Sequence, residues 1–130
     1  MRVLCSLLLG GVLCVVPLRA AAEVTITDWM GRSVRVTPGT VESGGVTIAY
    51  HTVGEGPLVI FVHSITGPWF DFRHQMVALS ARYRVVAMST RGTDESDKPE
   101  GVDQYASVKI AEDINALIDH FGEERATIIG

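Results

Sequence analysis

Two short polar segments carry most of the residue types that could do chemistry. The first begins at His63 and directly follows the apolar, β-branched run Leu58–Val62. The second spans Arg91–Pro99 and follows another apolar run, Tyr83–Met88. Runs of this kind are typical of strands that are buried on both faces of a parallel sheet. Because each polar segment comes after such a strand, we expect both to lie at the same edge of the sheet and to border a pocket there.

The same residues also allow purely structural roles. His63 could pin its loop through hydrogen bonds instead of transferring a proton, and Arg91 could pair with an acid in a solvated turn. Asp113 is expected to be a surface or helix-face charge and not a catalytic acid. His51 and His120 have no partner at metal-ligand spacing, and no His-Glu-x-x-His pattern occurs. The spacing of these histidines therefore predicts no metal site.

The segments between the apolar runs have helical spacing. Apolar residues recur at helical intervals over residues 69–82 and 105–121, and Gly122 is placed to end the second helix. Another buried strand begins at Ala126. Strands and helices that alternate with short connections predict an α/β fold, with a mostly parallel sheet flanked by helices.

The N-terminal part of the chain has a different pattern. Residues 46–53 alternate and predict one more strand. Residues 23–38 alternate around a turn at Gly31 and predict a β-hairpin, whereas residues 39–45 are small and polar and predict a linker. We therefore divide the chain into residues 1–22, an exported leader and linker at 23–45, and an α/β domain at 46–130.

Residues 1–22 have the features of a secretory signal peptide. Arg2 precedes the apolar stretch Val3–Val16, which is followed by Pro17 and by small residues at 20–22. An uncleaved membrane anchor is the alternative, but the short apolar core and the Ala-rich end favour cleavage. We expect an exported protein, periplasmic or secreted, with no stable membrane span after cleavage.

The composition argues against several other classes of protein. The chain has 130 residues, which suits about one domain. Its 47% hydrophobic and 20% charged residues are typical of a folded domain, and a net charge of −4 disfavours binding to nucleic acid. Cys5 and Cys14 both lie in the predicted signal peptide, so the remaining chain has no internal disulfide and no cysteine zinc site.

From Gly56 onward the chain resembles the N-terminal half of an α/β-hydrolase of the epoxide hydrolase and haloalkane dehalogenase group, and more closely an epoxide hydrolase. The matching residues are His63-Ser-Ile-Thr-Gly-Pro-Trp-Phe-Asp-Phe-Arg-His-Gln75, Arg91-Gly92, Ser96-Asp-Lys-Pro99 and Ala126-Thr-Ile-Ile-Gly130. The chain departs from the family pattern in its loops. Family members usually have glycine in place of Ser64 and Asp94, and proline in place of Thr66.

The resemblance implies roles for three residues. Ile65 would supply a backbone N–H that forms half of an oxyanion hole, the other half being supplied by the residue after the nucleophile. Trp69 and His63 would face the substrate, although Trp69 could equally be a core aromatic at the start of its helix. The substrate implied for a complete relative is small and apolar.

The catalytic groups of the family are absent from these 130 residues. The nucleophile stands on a sharp turn after the third buried strand, as Gly-His-Asp-Trp-Gly or similar in epoxide hydrolases, and the chain reaches only its first glycine, Gly130. A complete relative would convert an epoxide to a diol through an Asp ester, without metal or organic cofactor. We expect this chain alone to be inactive, poorly stable and prone to self-association through the edge of its sheet.

Two other classes of function stay open at this stage, a different enzyme on the same fold and a protein without enzymatic activity. A haloalkane dehalogenase or a serine esterase would be a different enzyme on the same fold. A non-catalytic exported binding module is the third possibility, because residues 24–32 resemble the start of mature periplasmic metal-chelate-binding proteins.

Overall fold

The computed structural model describes residues 22–64 and 67–130 and contains six strands and two α-helices. They are β1 (Val24–Thr27), β2 (Ser33–Ser43), β3 (Val46–Val53), β4 (Leu58–Val62), α1 (Arg73–Leu79), β5 (Arg84–Met88), α2 (Ser107–His120) and β6 (Thr127–Ile129). Short 3-10 turns, Trp69–Phe72 and Val102–Tyr105, precede the two helices. The predicted signal peptide, apart from Ala22, and the predicted oxyanion donor Ile65 lie outside the described residues.

The strands form one mixed sheet in the order β1-β2-β3-β5-β4-β6. As predicted, β4, β5 and β6 are parallel to one another. The expectation of a mostly parallel sheet is wrong for the described residues, because three of the five strand pairs are antiparallel. Strands β1, β2 and β3 follow one another through short turns, and such turns can join only antiparallel neighbours.

The predicted N-terminal hairpin is confirmed, but the predicted linker is a strand. Strands β1 and β2 pair around the turn that contains Gly31, and β2 then continues through residues 39–43 alongside β3. Only Gly44 and Gly45 form a turn, with φ values of +57° and +82°. Gly39 is there for a different reason, because a side chain at this position would overlap the ring of Tyr50. Close packing, rather than flexibility, explains this glycine.

The two predicted helices are present with shorter bounds. The first predicted helix begins as the 3-10 turn Trp69–Phe72 and its α-helical part ends at Leu79. The second covers Ser107–His120, and Gly122 follows it with a φ of +70°, as expected of a glycine that ends a helix.

Each face of the sheet buries its own hydrophobic core. One core lies between the sheet, α1 and the β1–β2 hairpin, and the other lies between the sheet and α2. Strands β4 and β5 contribute to both cores, because successive side chains of a strand point to opposite faces. The α1-side core includes Ile26, Phe61, Met76 and Val85, and the α2-side core includes Ile48, Ile60, Val86 and Leu117.

The approach of the β3–β4 turn to the end of α1 gives a test of this packing. Gly54 has a φ of +80°, and a methyl group there would overlap the carbonyl oxygens of Ser80 and Tyr83. Gly31 has a similar φ of +78° but open space around it. We expect Gly31→Ala to lose ~1–2 kcal/mol for the left-handed backbone alone. Gly54→Ala should lose a further ~1–3 kcal/mol for the overlap.

Urea unfolding followed by far-UV circular dichroism measures both losses. Equal destabilisation by the two substitutions would contradict the close approach at Gly54.

Candidate functional site

The two polar loops meet at the carboxyl ends of the parallel strands, as the sequence predicts. One loop follows β4 and leads to the Trp69–Phe72 turn, and the other follows β5 and contains residues 89–99. The end of β6 lies beside them, because a side chain on Gly130 would contact the backbone of Val62. Three strand ends and two loops therefore form one surface at this edge of the sheet.

His63 joins the two loops and is 6% exposed. Its Nε2 accepts a hydrogen bond from the backbone N–H of Thr90 at 3.0 Å. Because a backbone N–H can only donate, the ring proton must be on Nδ1, which donates to the Ser64 carbonyl oxygen at 2.7 Å. Both ring nitrogens are thus used in loop contacts. This geometry matches the pinning role that the sequence left open beside the role in substrate binding.

Trp69 packs below this surface, in the α1-side core, and is 8% exposed. Its indole stacks on the ring of His51, with 3.6 Å between ring centroids and 15° between ring planes. Its backbone N–H donates to Oδ2 of Asp94 at 3.4 Å. These contacts fit the core role that the sequence allowed, and they leave a small part of the indole exposed. Only this small exposed fraction of Trp69 is available to line a pocket.

Asp94 ties its own loop to the Trp69 turn. It has a φ of +44°, in the left-handed region that favours glycine, at a position where glycine is usual in the family it resembles. Its carboxylate accepts hydrogen bonds from the Ser89 hydroxyl at 3.2 Å and from the Trp69 backbone at 3.4 Å. These contacts are available only to a side chain with an acceptor, which gives the non-glycine residue a structural role.

The loop after β5 is bonded to the part of β3 that extends beyond β5. The Ser96 hydroxyl accepts from the Ala49 N–H at 2.8 Å and donates to the Ser89 carbonyl at 2.7 Å. The Asp97 carboxylate accepts from the Thr47 N–H at 2.8 Å, and this backbone hydrogen bond holds the pKa of Asp97 below its usual value. Two side chains of the loop thus satisfy backbone groups that a neighbouring strand would otherwise pair.

A buried ion pair anchors the same loop to α2. The Arg91 guanidinium contacts both oxygens of Asp113, at 2.9 Å and 2.6 Å, and also donates to the Gln104 carbonyl at 3.1 Å. The hydrogen bond to Asp113 raises the pKa of Arg91. The prediction that Arg91 pairs with an acid is confirmed, but the expected solvated turn is wrong, since both side chains are buried. Of the two positions expected for Asp113, the structure shows a helix face and not the surface.

The helical pattern already contained the signal for the burial of Asp113. This residue lies three positions after Ile110 and four positions before Leu117, and Leu117 is fully buried. Residues at these intervals share one face of a helix. A carboxylate on the apolar face needs a buried cation, and an arginine that follows a buried strand is a natural partner.

The arrangement holds the two loops in place, and the residues that the structure describes show no hydrogen-bonded pair of a serine nucleophile and a histidine general base. Across residues 22–64 and 67–130, no histidine ring hydrogen-bonds to a carboxylate or to a serine hydroxyl. The same part of the chain has no group of three or more His, Cys, Asp or Glu side chains placed to hold a metal ion. Within the described ranges, no helix is both long enough and apolar enough to span a bilayer.

Comparison with known proteins gives consistent matches to part of the chain. A family model described as alpha/beta hydrolase fold matches residues 57–130. The chain is 38% identical over 93 residues to the AB hydrolase superfamily protein YfhM of Bacillus subtilis, covering 69% of this chain and 32% of that protein. It is 30% identical over 92 residues to Epoxide hydrolase 2 of Siraitia grosvenorii, covering 70% and 29%.

A solved structure agrees with these matches. An epoxide hydrolase from Vigna radiata superimposes with a TM-score of 0.68 and 36% identity, covering 72% of this chain and 30% of that one. The chain spans about a third of the length of the curated relatives it matches.

The buried ion pair can be tested by removing one charge. We expect Asp113→Asn to destabilise the chain by ~3–5 kcal/mol, because it leaves the Arg91 charge buried without a counter-charge. Replacing both partners with apolar residues, Arg91→Met with Asp113→Leu, should recover most of that loss. Asp119→Asn, on the exposed face of the same helix, is the matched control, with an expected change within about 0.5 kcal/mol.

Urea unfolding of the four proteins gives these differences. A loss in Asp113→Asn no larger than that of Asp119→Asn would contradict a structural ion pair.

Proposed function

Since the chain belongs to the alpha/beta hydrolase fold family, we propose that its two polar loops form one wall of an epoxide hydrolase-like active site. The observation that carries this proposal is the meeting of the ends of β4, β5 and β6 at one edge of the sheet. In open α/β sheets, ligands bind outside the carboxyl ends of the strands. The similarity to epoxide hydrolases supports this chemistry over others on the same fold.

The reaction proposed for the whole enzyme has two covalent steps. A carboxylate attacks one carbon of the epoxide, the carbon–oxygen bond breaks, and the released alkoxide takes a proton from an acid, leaving an ester on the enzyme. Water activated by a histidine then attacks the ester carbonyl, and the collapse of the tetrahedral intermediate releases a diol and the free carboxylate. In this proposal, none of residues 1–130 serves as the carboxylate, the acid or the base of these steps.

This chain's contribution is to stabilise and position. Ile65, in the loop after β4, is proposed to donate its backbone N–H to the oxygen that becomes negative in the tetrahedral intermediate. His63 keeps that loop in register with the loop after β5 through its bond to Thr90. Trp69 is proposed as a wall of the pocket through the small exposed part of its indole. A donor that is fixed in advance is effective because it needs no rearrangement when the charge develops.

The coding sequence beyond the codon for Gly130 gives the first test. We expect the reading frame to continue into His-Asp-Trp-Gly or a close variant, which would place an Asp nucleophile directly after β6. A serine at that position would overturn the epoxide chemistry in favour of an esterase. A stop codon there would overturn the enzymatic proposal for this gene product.

Activity assays give the second test. We expect the extended protein to convert styrene oxide to its diol, and the Asp→Asn variant at the new nucleophile to be inactive. The 130-residue chain should give no rate above the blank. Halide release from 1-bromobutane without diol formation would assign a dehalogenase instead.

Export is a separate proposal that rests on the N-terminal sequence alone. The charge at Arg2, the apolar stretch after it and the small residues at 20–22 fit cleavage after Ala22. When the gene is expressed with its own N-terminus in a Gram-negative host, we expect the mature protein to begin at Glu23. Recovery of uncleaved chain in the membrane fraction would contradict this.

A further inference from the structure

His51 is a buried titratable residue that the proposed reaction does not use. It lies in β3 and is 5% exposed, and its ring is parallel to the Trp69 indole at 3.6 Å. Its Nδ1 has no hydrogen-bond partner among the described residues. A buried polar atom without a partner costs free energy, so a feature of this kind calls for an explanation beyond packing.

The charges around His51 are unevenly distributed. Its strand partners, Pro38 of β2 and Ala87 of β5, carry no charge, and neither does the indole. The charged groups that act on it are Glu95 and Asp94, from the loop after β5. Burial lowers the pKa of His51, and these two carboxylates oppose that effect only in part. The ring is therefore neutral at pH 7 and faces negative charge on one side.

Asp94 connects His51 to the backbone of Trp69. The carboxylate that attracts a proton to His51 also accepts the Trp69 backbone N–H and the Ser89 hydroxyl. When His51 is protonated, a positive charge lies against the face of the indole, and a cation in that position is attracted by the ring. The charge on His51 would also attract the Asp94 carboxylate, which accepts the hydrogen bond from the Trp69 backbone N–H. Protonation of His51 would therefore change the charge beside both the indole and the Asp94 carboxylate.

We propose that His51 is a positioning residue for Trp69, and that its protonation changes how the indole is held at the candidate site. The proposal rests on the proposed function only in treating Trp69 as a wall of the pocket. The pairing of His51 and Trp69, and its response to pH, stand on the geometry alone.

Tryptophan fluorescence can follow this contact directly. The chain has two tryptophans, Trp29 and Trp69, and Trp29 is exposed on the β1–β2 turn. The Trp29→Phe variant of the full chain therefore reports Trp69 alone. A protonated imidazole in contact with an indole quenches its emission. We expect the emission to fall in a single transition as the pH is lowered, with a midpoint below the ordinary histidine value of 6.5.

Substitutions in the Trp29→Phe background assign the transition. His51→Phe keeps an aromatic ring beneath the indole and should abolish the transition. His120→Gln, at an exposed histidine that contacts the ring of Tyr50, is the matched control and should leave it unchanged. Glu95→Gln removes one carboxylate and should move the midpoint to lower pH, which keeps the test decisive if His51→Phe fails to fold.

Three outcomes would overturn the proposal. These are a transition that persists in His51→Phe, a midpoint unaffected by Glu95→Gln, and emission that does not change with pH. Because the readout needs no turnover, its failure is distinguishable from failure of the proposed function. If the fluorescence transition depends on His51 but the protein does not hydrolyse epoxides, the pairing of His51 with Trp69 stands. Only its role at an active site would then be lost.

Discussion

The parallel pairing of β4 with β5 is the constraint on which the candidate site depends. The two strands are in register from Leu58 opposite Arg84 to Val62 opposite Met88, so both end at the same height. Their apolar side chains are buried on both faces, and slippage by one residue would move each set to the opposite face. The loops that follow must therefore leave the sheet side by side, and the contact between His63 and Thr90 is possible only because they do.

Polar groups at this edge are buried, and the structure pairs nearly all of them. The side chains of Arg91 and Asp113 neutralise each other, and Ser96 both donates and accepts within the loop after β5. Each of these groups would be costly to bury alone, so together they specify one conformation of the loop. The unpartnered Nδ1 of His51 is the exception among the described residues, and its ring stacks on the Trp69 indole.

The elements with strong periodicity could be predicted from the sequence. Strands β4 and β5 are continuous apolar runs, and α2 has a clear apolar stripe that ends at a glycine. The second half of β2 could not be predicted, because its small and polar residues are typical of a linker. Glycine is required at position 39 by the ring of Tyr50, a residue of the neighbouring strand. The burial of Asp113 follows from its place on the apolar face of α2, whereas its charge alone suggests exposure.

Contacts between segments far apart in sequence could not be predicted from local pattern. His51 and Trp69 belong to a strand and a turn separated by a whole strand and loop, and no spacing rule brings them together. The same holds for Asp94, whose carboxylate accepts hydrogen bonds from the Ser89 hydroxyl and the Trp69 backbone N–H. No local pattern predicts those two donors. The sequence resemblance predicts the edge of the sheet at which such contacts form, but it does not predict the contacts themselves.

The hydrogen bonds from β3 to the loop after β5 have a consequence for exchange with solvent. The amide protons of Thr47 and Ala49 are held by side chains of Asp97 and Ser96, not by a neighbouring strand. Local opening of the loop would release these two protons while the ladder to β2 remains intact, because local openings in folded proteins need far less free energy than global unfolding. The hydrogen–deuterium exchange rates of these two amides in β3 would therefore report how often the loop after β5 opens.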